Sequence, residues 1–323
     1  MSKFFVRQMP TAPFTRKEFC KRFILIGTFL LASLVCAIDE PKAVELIRDR
    51  FFRRGFNVLA PQEGKRVAEG MLRLTSTAQL PIWDIAQWNS KFSIANAEPF
   101  LHANGDISFS NAAKYIRVST NGLIVLGAKA SFEYGTRARR KGEPWPHLLI
   151  AQKFQTRPAV AELKHAVLHV AVRLPKAAAW PTLEHTPKLH AAQFQLFITV
   201  QNLNRKSAGY GDFFYFGVPL YDNRQRIPGR YAAADRWGKF IYIPPGDTYT
   251  TQSAHDGEWV VINKDLLSLI LEGLRTAWNN GYLQDSRDLL DYTLGGINLG
   301  WELPGTFDVE MEVRELSLKG TTK

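Results

Sequence analysis

Phe307-Asp308-Val309-Glu310-Met311-Glu312-Val313-Arg314-Glu315-Leu316-Ser317-Leu318 alternates apolar and charged residues with a period of two. That is the pattern of a strand with one dry and one wet face. Phe307, Val309, Met311 and Val313 share the dry face, and then the apolar phase moves to Leu316 and Leu318. A strand cannot turn its side chains over without an extra residue, so the shift predicts a β-bulge near Arg314–Glu315.

Working outward, the preceding segments keep this short rhythm. Met71–Leu74, Ile82–Trp88, Ile107–Phe109, Leu148–Phe154, Leu168–Leu174, Lys239–Ile243, Glu258–Ile262 and Thr293–Leu299 read as strands. Tyr115–Ser119 and Leu123–Leu126 flank Asn121-Gly122, whose residues supply the positive φ of a tight hairpin turn. Phe194–Val200 and Phe213–Leu220 are apolar throughout and read as central strands covered on both faces. Pro175 to Pro187, rich in Ala and Pro, reads as a loop. Two helices are expected: one from Asp39 to Arg54, capped by Asp39, and one over Lys264–Asn279, capped by Asn263 and stopped by Gly281. The domain reading is a helical lead-in over 38–66 and one β-sandwich over 67–323.

Phe307–Leu318, following Gly300-Trp301-Glu302, resembles the closing strand of the jelly-roll and concanavalin-like sandwiches of secreted carbohydrate-binding and carbohydrate-cleaving proteins. The resemblance covers the closing segment from Gly300 on; the rest shares only strand rhythm. It implies a mainly β fold, an antiparallel β-sandwich, and a polysaccharide or oligosaccharide as partner. It implies no organic cofactor, and calcium only as a structural ion. It carries no catalytic motif, so no active-site residue is transferred.

The first 37 residues read as an export signal. Thr15-Arg16-Lys17-Glu18-Phe19-Cys20-Lys21 resembles a twin-arginine motif with Lys17 in place of the second arginine. The apolar run Phe23–Cys36 is short for a bilayer span, and Val35-Cys36-Ala37 reads as a cleavage site. A periplasmic or secreted protein is expected, touching a membrane only through this signal. Both cysteines, Cys20 and Cys36, lie within it, so the processed chain offers no disulfide, thiolate metal site or thiol catalysis. The signal also takes six of the 41 basic residues and one of the 30 acids, which leaves +6 on the remainder. That is a solubility charge; no nucleic-acid partner is expected.

Candidate chemistry starts with carboxylates. Glycoside hydrolysis uses two of them, about 5 to 9.5 Å apart. Glu302, beside Trp301 at the break before the last strand, and Asp222 are the catalytic candidates, with Asp212 and Glu258 behind them. Asp222-Asn223-Arg224 also reads as a turn with a local ion pair. A lyase would need a group to neutralise a uronate and a His or Tyr to move a proton. His147, Tyr215, Tyr221, Arg224 and Arg230 supply those types. Sugar rings stack on exposed aromatic faces, so Trp301, Tyr221, Trp237 and Tyr210, with Arg224, form the expected ligand-binding set; Trp145, Tyr231 and Tyr249 are further platforms. His165 and His169 have the spacing of helical zinc ligands, but they fall on a strand, which separates them. Three readings follow: a polysaccharide-binding protein, a hydrolase or lyase using Glu302, and a non-catalytic envelope or assembly protein.

Overall fold

The computed structural model describes residues 43–64, 66–76, 79–180 and 185–323, so the export segment lies outside the described residues. The chain runs β1 (Val44–Glu45), β2 (Phe56–Leu59), β3 (Ala68–Leu72), β4 (Trp83–Ala86), β5 (Phe100–Leu101), β6 (Ile107–Ser110), β7 (Lys114–Val118), β8 (Ile124–Lys129) and α1 (Ala130–Tyr134). It continues through β9 (His147–Lys153), β10 (Leu163–Ala179), β11 (Gln193–Asn202), β12 (Phe213–Asp222), β13 (Tyr231–Ala234), β14 (Phe240–Ile243), β15 (Val260–Asp265), α2 (Leu267–Asn279), β16 (Tyr292–Glu302) and β17 (Phe307–Thr322).

These strands form a β-sandwich. One sheet has the order β15-β10-β17-β8-β7-β6-β5, with β1 added beside β17; the other has the order β13-β14-β12-β11-β16-β9-β4-β2-β3. All pairings are antiparallel except β12 with β14 and β2 with β4. The core between the sheets is apolar and aromatic, and includes Trp83, Phe109, Phe194, Phe214, Phe216 and Trp301.

The bulge is where the phase shift puts it. On β10 and β17, His169 pairs with Ser317 but Ala171 pairs with Arg314, so β17 carries one extra residue, and Glu315 has φ 60°. Val309, Met311 and Val313 before it and Leu316 and Leu318 after it are all buried. The other edge of β17 changes partner at the same place: β8 pairs with Asp308–Val313 and β1 with Lys319–Gly320. The backbone groups between are taken by side chains. Arg50 Nε donates to Leu316 O (2.8 Å), and the Glu45 carboxylate accepts the Leu318 N–H (2.9 Å).

Those contacts correct the N-terminal expectation. Residues 43–54 contain no helix, and Asp49 and Phe52 have φ of 50° and 57°. The apolar spacing there reflects Leu46, Ile47 and Phe52 entering the sandwich core from an irregular chain. The expected loop from Pro175 is also corrected in part: β10 continues to Ala179 because Lys176–Ala179 find partners in Phe307–Glu310. Helix α2 is present and buries Ile270, Gly273, Leu274 and Ala277. Its cap is not Asn263, which pairs with His169 inside β15. The cap position is Leu266, and Asp265 just before it accepts the N–H of Leu267 at 3.1 Å.

Candidate functional site

Strand register assigns each candidate residue to a face. At one end of the nine-stranded sheet, Tyr221, Phe194, Trp301 and Leu148 lie side by side across β12, β11, β16 and β9. All four point into the core. Trp301 is 0% exposed and Tyr221 4%. The Trp301 ring meets Phe194 at 5.0 Å and Tyr221 at 5.8 Å, and its Nε1 donates to Leu126 O at 2.9 Å. These two residues are therefore pillars of the sandwich and not sugar platforms. The alternation Ile297, Leu299, Trp301 against Asn298, Gly300, Glu302 carries that parity in the sequence itself.

One residue along, Asp222, Gln193, Glu302 and His147 form the matching row on the opposite, outer face. Register thus brings the two proposed carboxylates onto one face, with the Gln193 strand between them. Their states differ. Asp222 is buried and held by Arg224, whose Nε and Nη2 donate at 2.8 and 2.5 Å, and by Gln193 Nε2 at 2.8 Å. Burial raises its carboxyl, but these bonds outweigh it and hold the group below the ordinary carboxylate value. It is a structural ion pair, as the turn reading allowed, and Arg224 is spent on it. Glu302 is partly exposed; it accepts from Trp145 Nε1 at 3.3 Å and stands 3.7 Å from His147 Nε2.

The outer face of this sheet is a trough. Its floor along β16 is Gly296, Asn298 and Gly300, flanked by Ala151 and Leu149 on β9 and by Gln195, Phe197 and Thr199 on β11. A Cβ on Gly300 would lie 2.1 Å from Leu148 O, so the floor must stay bare there. Larger side chains rise around it. Tyr215 meets Phe197 and Phe213 at ring distances of 6.0 and 5.1 Å, Trp145 stacks on His147 at 5.9 Å, and Trp88 meets His147 edge-on at 5.7 Å.

The sheet curls over this face. Nine strands laid flat would span roughly 40 Å. Yet Trp237 Nε1, on the β13–β14 turn at one end, donates to Glu63 Oε1 on the β2–β3 loop at the other, at 3.0 Å, and Arg236 joins at 3.2 Å. The opposite face is packed against the second sheet, so closure runs across the outer one. Trp237, 62% exposed, is thus the clasp of the trough. Electrostatics agree. Burial, then the charges of Asp235 and Glu302, push the Tyr215 and Tyr231 phenols up, with Arg66 opposing at Tyr215. Burial raises the Glu63 carboxyl, but bonds from Asn89 and Trp237 and the charges of Arg236 and His147 hold it below its usual value.

Within the trough lie buried polar atoms with no partner among the described residues: Trp88 Nε1, His147 Nδ1 and Gln195 Oε1. His147 is 8% exposed and Gln195 9%. Folded interiors seldom leave such groups unpaired. Trp88 and Gln195 were missed in the sequence. The signal that could have found them is the small, polar outer face of β16, whose neighbours line any ligand lying on it.

The remaining candidates are scattered. Tyr210, 51% exposed, sits on the β11–β12 loop at the far end of the strands from Glu302. Tyr249 is buried and donates to Gly217 O at 3.3 Å. Arg226 pairs with Asp256 and Lys239 with Asp212. His165 and His169 each face their own carboxylate, Asp265 and Glu315, and among the described residues no three His, Asp, Glu or Cys side chains gather as metal ligands.

No protein-family model matches the chain, and no curated protein matches it in sequence. Among solved structures it is similar to endoglucanase Cel12A from Rhodothermus marinus, with a TM-score of 0.41 and 13% identity, covering 70% of this chain and 97% of that one. The xyloglucanase domain of NopAA, a type three effector from Sinorhizobium fredii in complex with cellobiose, gives 0.38 and 9% over 71% and 100%. The family 11 xylanase from Neocallimastix patriciarum gives 0.38 and 8% over 70% and 96%. Likeness this distant decides no activity; the side chains of the trough must do that.

Proposed function

We propose that the trough binds a polysaccharide chain and that the protein is an exported glycan-binding β-sandwich. The observation that carries this is the set of unpartnered polar atoms on Trp88, His147 and Gln195 among aromatic walls. Sugar hydroxyls both donate and accept, so one hydroxyl type satisfies an indole N–H, an imidazole nitrogen and an amide oxygen alike. The Tyr215 ring offers area for a C–H face, and Trp145, stacked on His147 and covered by Arg139, walls the trough beside it. The export segment at 1–37 fits a ligand found outside the cell.

Binding is the first reading: along the sheet the neighbours of Glu302 on this face are Gln193 and His147, and a second acid would have to come from across the trough, from the side of Glu63 or Asp235. Two-carboxylate hydrolysis needs a second acid within about 9.5 Å, and Asp222 is committed to Arg224. Titration calorimetry across a panel of neutral and acidic oligosaccharides tests the reading. At least one class should bind, and Trp145→Ala and Tyr215→Ala should each weaken it about tenfold. Failure of every glycan to bind, with a protein partner recovered instead, would favour the envelope role. Product release that disappears in Glu302→Gln while affinity persists would add catalysis to binding.

A further inference from the structure

At the far end of the same trough, Arg48, Arg54, Arg66 and Lys153 surround a cavity of about 420 Å³, together with Pro81, Ile82 and Asp84. Asp84 is the one acid in that lining among the described residues, and it is paired with Arg66. Among the described residues, Arg48, Arg54 and Lys153 form no salt bridge. Some arginines elsewhere lie against carboxylates, as Arg137 does on Glu143, Arg226 on Asp256 and Arg236 on Glu63; what sets this group apart is that its cations converge on one cavity. Four converging cations exceed the charge of Asp84 and of Asp49 beside Arg54, and the positive excess repels itself, a cost that an anion among them would relieve.

The guanidinium groups are also held in place. Arg48 Nη1 donates to Gln155 Oε1 at 2.9 Å, Arg54 Nε donates to Leu80 O at 2.6 Å, and Arg66 is fixed on Asp84. Each keeps further N–H donors for a ligand. Lys153 belongs to the trough itself: it pairs across β9 and β16 with Gly296, which pairs across β11 with Thr199 and so reaches Tyr215. Six residues separate it from His147 on β9, roughly 20 Å along the strand. One continuous face therefore has Glu302 and His147 at one end and a basic cavity at the other.

We infer that this cavity receives the anionic substituent of an acidic glycan, a uronate carboxylate or a sugar sulfate, while the neutral part of the chain lies along the trough. The inference rests on the proposed glycan-binding reading and names its substrate class. Planar guanidinium groups match the two or three oxygens of such anions, and Lys153 adds a point charge.

The test uses the processed protein and titrates oligogalacturonate, dextran sulfate and a neutral cello-oligosaccharide, with single-stranded DNA as a polyanion control. The same set is run on Arg48→Ala/Arg54→Ala, which removes two cations of the cavity and leaves Lys153 and the trough floor in place, with a thermal melt to confirm folding. One acidic glycan should bind at least tenfold more tightly than the neutral one, and the double variant should lose that margin while keeping neutral affinity. The acidic probe that shows the margin identifies the anion as carboxylate or sulfate. An unchanged margin in the folded variant would overturn the cavity assignment while leaving the trough intact. Equal binding of DNA, lost to the same extent, would make the cluster a general polyanion patch and overturn the inference. If no glycan binds at all, the trough reading falls and this one with it.

Discussion

The outer faces of the two sheets handle charge in opposite ways. On the eight-stranded sheet the charged groups are paired or stacked, and the two buried guanidinium nitrogens there without a hydrogen bond among the described residues, Arg117 Nε and Arg314 Nε, still face carboxylates at 3.8 and 3.5 Å. Arg173 binds Glu312 at 2.7 Å, Arg173 and Arg314 lie over Trp259 at 5.1 and 4.0 Å, His169 meets Glu315, and Tyr115 donates to Glu310. On the nine-stranded sheet the middle of the face is glycine and asparagine, and the polar atoms around it on Trp88, His147 and Gln195 have no partner among the described residues. A matched face stabilises the fold; an unmatched one is held by the fold and awaits something else. The difference separates scaffold from site without reference to any relative.

The hardest test of that separation is the pair Trp301 and Glu302, adjacent in sequence and on opposite faces. Trp301→Ala should cost about 4 kcal/mol in urea denaturation, because it empties the junction between Phe194, Tyr221 and Leu126. Glu302→Gln should change stability by less than about 0.5 kcal/mol, and shift ligand affinity instead. Equal losses from both would mean that the trough is part of the scaffold and would collapse the comparison.

How far this was legible in the sequence depends on range. The bulge at Arg314–Glu315 could be read because a phase change in one strand is a local signal, and it fixed which residues of β17 face inward. The helix expected before Arg54 failed for a long-range reason. Glu45 is spent on Leu318 and Ser317, about 270 residues away in the chain, and no local spacing reveals that competition. The extension of β10 past Pro175 was hidden likewise, since it depends on Phe307–Glu310 as partner. In the site, Glu302 and Asp222, read from the sequence as catalytic candidates, lie in one outer row through Gln193. The error was to place Trp301 and Tyr221 beside them, when a period of two puts consecutive residues on opposite faces. The basic cavity draws Arg48, Arg54, Arg66 and Lys153 from separate segments, so only the fold assembles it.

Asp222 sharpens the comparison because it is the member of the outer row held by an arginine. Arg224→Ala should cost about 2 kcal/mol near pH 7, a figure reduced from that of a fully buried pair because Arg224 is 32% exposed. The sign with pH follows from the lowered carboxyl. Its contribution is fully present above the unfolded value of 3.8 and is lost as pH falls through the still lower folded value. The gap between wild type and variant, followed by denaturant unfolding, should therefore narrow as pH falls, starting where the variant's Asp222, still buried but without its partner, takes up a proton. A gap that is constant down to pH 2 would show that Arg224 stabilises the turn without its charge.

The smallest effect is the most diagnostic. Gln195 is 9% exposed with its Oε1 unpartnered, so the fold bears an uncompensated desolvation cost at this position. Gln195→Leu removes the polar atom in nearly the same volume and should raise stability by about 1 kcal/mol, while weakening glycan binding. The equivalent change on the other sheet, Glu312→Leu, strips Arg173 of its partner and should lower stability. Opposite signs from two polar-to-leucine substitutions, read in the same urea titration, would show that polarity in the trough is kept against the interest of the fold. Loss of stability in both would mean that Gln195 is serving the scaffold after all, and that the unpaired oxygen says nothing about a ligand.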